Sequence, residues 1–250
     1  MNQSTYVVLL IALCLTSGFQ SHPRRLNTAA KSPTQAYEKT FALGDNPTLI
    51  LENSSVQGNI EVQSWDHAEI KIAAEIHSAN TSVEASSSQG VLNVKLRRKG
   101  QISTEPVHFR VWAPASCEVH LSSLSGKIVV RGVRARLKAL TTDGDIELVD
   151  VSGQSVDATS STSGNITLSG PLNYQGKYHL YSAMGRINVV FKESASFTLD
   201  AATGAGHIQL DGFGLANERR SERHVEGTYG DGHAILMLRT VQGLIQLQKQ

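Results

Sequence analysis

One short frame recurs along this chain. It reads Ser or Thr, two free positions, Gly, one free position, then an aliphatic, a polar residue and another aliphatic. Its clearest copy is STSGNITL, Ser161 to Leu168. Nine copies fit, centred on Gly58, Gly90, Gly126, Gly144, Gly164, Gly185, Gly206, Gly232 and Gly243. Two residues beyond these stand Ile60, Leu92, Ile128, Ile146, Ile166, Ile187, Ile208, Ala234 and Ile245. Two further on stand Val62, Val94, Val130, Leu148, Leu168, Val189, Leu210, Leu236 and Leu247. The residue between is mostly polar. This is period-two alternation, which marks half-buried strands and excludes an amphipathic helix.

The approach to each glycine alternates too. Seven residues back lie Leu51, Val119, Leu137, Tyr178 and Leu199; five back lie Leu121, Ala139, Leu180 and Ala201. Three back stands a hydroxyl residue in eight copies, with Tyr229 the exception. The Gly164 copy has Asp157 seven back, so its strand slips by one and uses Val156 and Ala158. Inward side chains therefore shrink towards the turn, as two converging strands require. The hydroxyls are placed to bond turn amides that a ladder cannot reach.

Each unit reads as strand, tight turn, strand. No unit can bury its apolar face alone, but stacked units share one core. Gly126 to Gly206 are spaced 18, 20, 21 and 21 residues, the length of two short strands and two turns. The expected fold is all-β: a single β-solenoid of about 20-residue repeats, with equivalent strands stacked in parallel and a less regular N-terminal portion. An antiparallel sandwich is the alternative. The segment 212–232, with Glu218, Arg219, Arg220, Glu222, Arg223 and His224, reads as a surface loop inserted in the last regular coil.

Before the repeats, Tyr6 to Leu15 is an apolar run followed by small residues. Ten residues are too few to span a bilayer, which takes about 20, and the layout matches a cleavable secretory signal. Residues 1–21 are thus expected to be a signal peptide, 22–36 a flexible leader and 37–250 the β-repeat domain. The mature chain then holds one cysteine, Cys117, so neither an internal disulfide nor a cysteine pair for zinc is available. With a net charge of +1, no basic excess points to nucleic acid. Aromatic content is 6%, low for a carbohydrate-gripping surface.

Chemistry is harder to find. Asp143, Asp145, Glu147 and Asp150 form the one carboxylate cluster, within one coil and flanked by Lys127 and Arg186. Glycoside cleavage needs two such groups about 5–9.5 Å apart, and the matching places in the next coils hold Asn165, Thr167 and Asn188. His207 and His233 both follow a repeat glycine, but a solvated polar ladder with Lys127, Asp145, Asn165 and Arg186 is the better reading. No residue is assigned to catalysis, cofactor or metal.

Three stretches carry a resemblance. Gly58 to Ile76 (GNIEVQSWDHAEIKIAAEI) places Trp65 and Asp66 between two strands. Phe109 to Val133 runs strand, proline, strand, Gly. Glu226 to Leu247 closes the chain. In this order they resemble the bacterial toast-rack, or "putative adhesin", family of β-strand-repeat proteins of unassigned function. The resemblance implies an exported, all-β, repeat-built domain and brings no catalytic residues. The expected role is a non-enzymatic binding or structural module at the cell envelope, with an envelope or surface ligand, protein or polysaccharide. The expected place is periplasm, cell surface or medium. A polysaccharide-active enzyme on the same scaffold, and an envelope stress or assembly scaffold, are the alternatives.

Overall fold

The computed structural model describes residues 34–100, 105–191 and 194–249. The expected signal peptide and most of the expected leader lie outside them. Among the described residues the structure is all strand and turn, with no helix, and no helix is long and apolar enough to cross a membrane.

In chain order the strands are β1 (Gln35–Ala42), β2 (Thr48–Asn53), β3 (Ile60–Trp65), β4 (Glu69–Ile76), β5 (Thr81–Ser88), β6 (Val91–Arg98) and β7 (Val107–Pro114). The most regular stretch follows: β8 (Glu118–Ser125), β9 (Ile128–Arg131), β10 (Leu137–Asp143), β11 (Ile146–Val149), β12 (Ser155–Ser163), β13 (Ile166–Ser169), β14 (Lys177–Met184) and β15 (Ile187–Phe191). The last are β16 (Phe197–Ala205), β17 (Ile208–Asp211), β18 (Ala216–Arg220), β19 (His224–Tyr229), β20 (Ala234–Gln242) and β21 (Ile245–Lys249).

These strands make two sheets. One has ten strands in the order β1-β4-β7-β3-β9-β11-β13-β15-β21-β17; the other has eleven, β18-β19-β16-β20-β14-β12-β10-β8-β2-β6-β5. Parallel neighbours need a long crossover, and here the strand of the opposite sheet supplies it. After one circuit the chain returns in register, like upon like. Ile146 lies opposite Ile128 and Ile166, and Leu137 opposite Val119 and Val156. The inward residues of both sheets join one buried cluster. The parallel pairing excludes the antiparallel sandwich.

The narrowing towards the turn is present: Leu137, Ala139 and Thr141 are all buried, as are Tyr178, Leu180 and Ser182. The slip in β12 is present as well. Val156 and Ala158 pair with Leu137 and Ala139, and the register shifts between Thr141 and Asp143. The extra residue makes Ser160, not Ser161, the buried hydroxyl of that coil.

The expectation of a single solenoid wound in sequence order needs correcting at both ends. The β20–β21 unit sits between β14–β15 and β16–β17, and β2–β3 sits between β6–β7 and β8–β9. Antiparallel strands are the cause. β19 takes one edge of β16, so β20 must take the other. At both ends of the eleven-stranded sheet and one end of the ten-stranded sheet, antiparallel strands thus cover a parallel edge that would otherwise invite pairing; β17 is the remaining edge, only four residues long.

Two of the nine glycine copies are therefore not coil turns. Gly90 closes a two-residue hairpin between β5 and β6, with φ positive at both Gln89 and Gly90, the geometry that matches strand twist. Gly232 lies in the link from β19 to β20. The charged segment read as a surface loop forms the hairpin β18–β19, exposed along β18 and at its tip, with Val225 of β19 buried.

Candidate binding groove

The seven remaining glycines stack on one edge in the order Gly58, Gly126, Gly144, Gly164, Gly185, Gly243, Gly206, and each after Gly58 sits against the carbonyl of the glycine before it. A Cβ built on Gly164, where φ is +151°, would lie 1.9 Å from the Gly144 oxygen. Close backbone approach is thus what the repeat glycine provides.

The stack leaves two backbone groups per turn to be satisfied. Glycine N–H groups donate to the next coil, as Gly144 N does to Ser163 O at 2.8 Å, but the glycine carbonyls lie outside this ladder. Inward hydroxyls donate to them instead: Ser182 Oγ to Gly164 O at 2.8 Å, Thr203 Oγ1 to Gly243 O at 3.2 Å, Ser160 Oγ to Gly144 O at 3.3 Å. The sequence had suggested amides as their partners; in these coils the acceptors are carbonyls of the adjacent coil, whereas Ser55 Oγ does accept from Val107 N at 3.1 Å. The N–H after three of these glycines is met by an Asx side chain. Lys127 N donates to Asn59 Oδ1 at 3.0 Å, Asn165 N to Asp145 Oδ1 at 2.7 Å, and Arg186 N to Asn165 Oδ1 at 2.9 Å.

This arrangement occupies most of the carboxylate cluster. Asp145 caps the next coil, and Asp143 accepts from Ser163 Oγ at 2.5 Å. Glu147 lies between Lys127 at 2.5 Å and Arg131 at 3.2 Å. The Lys127 hydrogen bond, aided by both cations, holds its carboxyl below the usual range against the effect of burial. Asp150 is not with them. His207 and His233 are not brought together either: His233 stacks on Tyr174, ring centroids 4.3 Å apart.

Asp150 sits on the opposite edge, where the coils are joined by longer links. Its N–H donates to Ser169 O and aligns it between Gly132 and Gly170. All three have positive φ, 53° at Asp150, 73° at Gly132 and 117° at Gly170. An aspartate thus stands where the neighbouring coils use glycine. It lines an open groove of about 560 Å³ with Trp65, Asp66, Arg134, Ser152 and Pro171, a size that suits a small ligand. Trp65 is fixed: its Nε1–H donates to Glu69 O at 2.8 Å, and the His67 ring meets it edge-on at 4.6 Å between centroids. Asp66, Arg134 and Asp150 are exposed and make no side-chain hydrogen bond or ion pair with another described residue.

A second cleft of 240 Å³ shares Pro171 with this groove and carries Tyr174 and His233. Asn173 anchors the link between them. Its N–H donates to the Tyr178 hydroxyl at 2.8 Å and its side-chain amide to Ser152 O at 3.0 Å. Sequence reasoning singled out Trp65 and Asp66 but missed Arg134 and Tyr174. The signal available was Asp150 itself, in line with Gly132 and Gly170 once the second turn of each coil is aligned.

The outer face of the eleven-stranded sheet offers a different surface. Ile235, Met237 and Val241 of β20 are exposed there. Beside them Asp200 accepts from His224 Nε2 at 2.8 Å and from the Arg239 guanidinium. Burial pushes the Asp200 carboxyl up, but these two hydrogen bonds and charges outweigh it and hold it below the usual range. Among the described residues no group of three or more His, Cys, Asp and Glu is placed to hold a metal ion. Cys117 is buried and free, its thiol pushed up to about 12 by burial.

Comparison with known proteins places this geometry. A family model described as Toastrack DUF4097 matches residues 48–248. No curated protein matches the chain. Among solved structures, a "putative cell adhesion protein" from Clostridium sporogenes has a TM-score of 0.54 at 13% identity, covering 87% of this chain and 100% of its own. A "putative adhesin" from Bacteroides fragilis has a TM-score of 0.48 at 9% identity, covering 86% and 97%. At such identities the first likeness shows the fold alone.

Proposed function

Because the chain belongs to the Toastrack DUF4097 family, we propose that it works as an exported, non-enzymatic binding module of a bacterial cell envelope, with the Trp65 groove as its contact surface. The observation that carries this reading is the groove itself. It gathers a fixed indole and three exposed ionisable side chains that have no side-chain partner among the described residues. On the opposite, glycine edge Ser160, Ser182, Thr203, Asp143, Asp145 and Glu147 bond neighbouring coils. In the same reading the stacked units act as one solenoid scaffold, rigid enough to preorganise the groove. The runner-up, a polysaccharide-active enzyme, is disfavoured because Asp143, Asp145 and Glu147 each serve a neighbouring coil.

The test uses the native host. Mass spectrometry should find a chain cleaved between about Gly18 and His22, in an envelope or medium fraction. The purified chain should co-sediment with envelopes of that host. Replacing Asp143 and Asp145 by Asn and Glu147 by Gln should leave this retention unchanged. An intact Met1 in the soluble cytoplasmic fraction contradicts the export. Turnover of an envelope polysaccharide that disappears in Asp145→Asn moves the protein to the enzyme reading.

A further inference from the structure

We propose that the Trp65 groove and the adjoining Tyr174 cleft form a binding track for a linear, uncharged oligosaccharide. This rests on the binding-module reading above and names its ligand.

Three features of the edge point to this chemistry. First, Trp65 is half-buried and locked by the Glu69 carbonyl and the His67 ring, so it presents a preorganised flat apolar surface. Sugars offer C–H faces to such a surface, while their hydroxyls need donors and acceptors at its rim. Second, the rim holds both kinds. Asp66 and Asp150 accept, Arg134 donates, and none is taken up by another described side chain. Two carboxylates against one guanidinium disfavour an anionic polymer, and Arg134 disfavours a second cation. A neutral polyol engages all three through charge-assisted hydrogen bonds. Third, Asp150 occupies a left-handed position that its neighbours fill with Gly132 and Gly170. Asp tolerates that region better than most residues, but glycine is the unstrained choice. A left-handed aspartate that lines an open groove, its carboxylate without a partner among the described residues, is an indication of function.

The track extends beyond one sugar. Tyr174 is 64% exposed and stacked on His233, and its cleft shares Pro171 with the groove. Trp65 ends β3, and the Tyr174 link follows β13. Three strand spacings separate these strands, about 14 Å along the stack. A linear oligosaccharide reaches both rings; a monosaccharide does not. Aromatic content is only 6%, but these two accessible rings lie on one edge, so the average understates this surface.

The experiment titrates the purified chain with cellohexaose, chitohexaose and maltohexaose, their monosaccharides, a polygalacturonate hexamer and a lysine-rich peptide. Binding is read by calorimetry and by indole fluorescence. One neutral hexasaccharide should bind at least about tenfold more tightly than its monosaccharide and than the anionic hexamer. Trp65→Ala and Tyr174→Ala should each weaken it about tenfold. Asp150→Gly is the decisive variant. It should weaken binding about tenfold while leaving Tm unchanged or higher, since glycine suits that φ. A purely structural Asp150 would do the reverse, lowering Tm and sparing affinity. The inference is overturned if none of the hexasaccharides binds, if the peptide is preferred, or if Asp150→Gly spares affinity. If this happens while the chain still co-sediments with envelopes, the binding-module reading stands and only the saccharide assignment falls. Loss of co-sedimentation as well removes both.

Discussion

Gly164→Ala should destabilise the protein by about 3–5 kcal/mol, whereas Gly90→Ala should cost about 1–2 kcal/mol. The two glycines occupy the same place in the same sequence frame, and both have positive φ. What differs is the neighbour. A Cβ on Gly164 would meet the Gly144 oxygen at 1.9 Å and its carbonyl carbon at 2.5 Å. That is backbone, held by the Gly144 N to Ser163 O and Ile146 N to Asn165 O bonds, both 2.8 Å. It can yield only if the two coils part and those bonds stretch. A Cβ on Gly90 has nothing closer than the Leu43 oxygen at 3.8 Å, so only the left-handed backbone is penalised. Urea denaturation of both variants measures the difference. Equal midpoints would mean that close stacking of turns is not what the repeat glycine serves.

A similar contrast is expected one residue apart in β13. Ile166 is fully buried between Ile146 and Ile187. Ile166→Asp places a carboxylate among aliphatics, where it must be desolvated, protonated or released by opening the coil. The cost is about 4 kcal/mol or more, a large share of a typical domain's stability. Thr167 is half-buried and faces outwards, between Glu147 and Asn188. Thr167→Asp adds a charge beside Glu147, which Lys127 and Arg131 already neutralise, and should cost about 0.5–1 kcal/mol. Calorimetric Tm values for the pair test the alternation directly. Matching losses would contradict the inward–outward assignment.

Much of this fold was legible in the repeat because its constraints are local. Period-two alternation identifies strands, shrinking inward residues identify a closing turn, and Gly with a preceding hydroxyl marks where coils touch. What was not legible depends on partners that spacing cannot identify. Gly90 and Gly126 sit in the same frame, yet only one has Gly58 against it; the other has an antiparallel return. Nothing in the Gly206 copy says that β19 will take the outer edge of β16 and force β20 to the inner one. The hydroxyls were recognised as turn ligands, but Ser160, Ser182, Thr203 and Thr240 donate to carbonyls of another coil. The groove was half visible. Trp65 and Asp66 stood out between two strands, whereas Arg134 and Tyr174 come from links whose irregular lengths hide their alignment. Asp150 was grouped with Asp143, Asp145 and Glu147 by proximity in sequence, although the strand between carries it to the opposite edge.

The central structural claim is that the coils stack as a glycine ladder whose last-made unit is inserted rather than appended. Disulfide trapping tests it most directly. Met184 and Gln242 are register partners on adjacent strands, and Ala205 is the partner of Gln242 on its other side. All three are exposed, just before their repeat glycines. In the double variant Met184→Cys/Gln242→Cys the two Cα atoms lie about one strand spacing apart, about 4.8 Å, within disulfide reach. In Met184→Cys/Ala205→Cys they lie two spacings apart, about 9.5 Å, beyond it. Mild oxidation followed by non-reducing mass mapping should therefore cross-link the first pair, 58 residues apart in sequence, and leave the second, only 21 apart, as free thiols. Cross-linking of Met184→Cys/Ala205→Cys instead, with none in the first pair, would show a chain wound in simple sequence order and contradict the account.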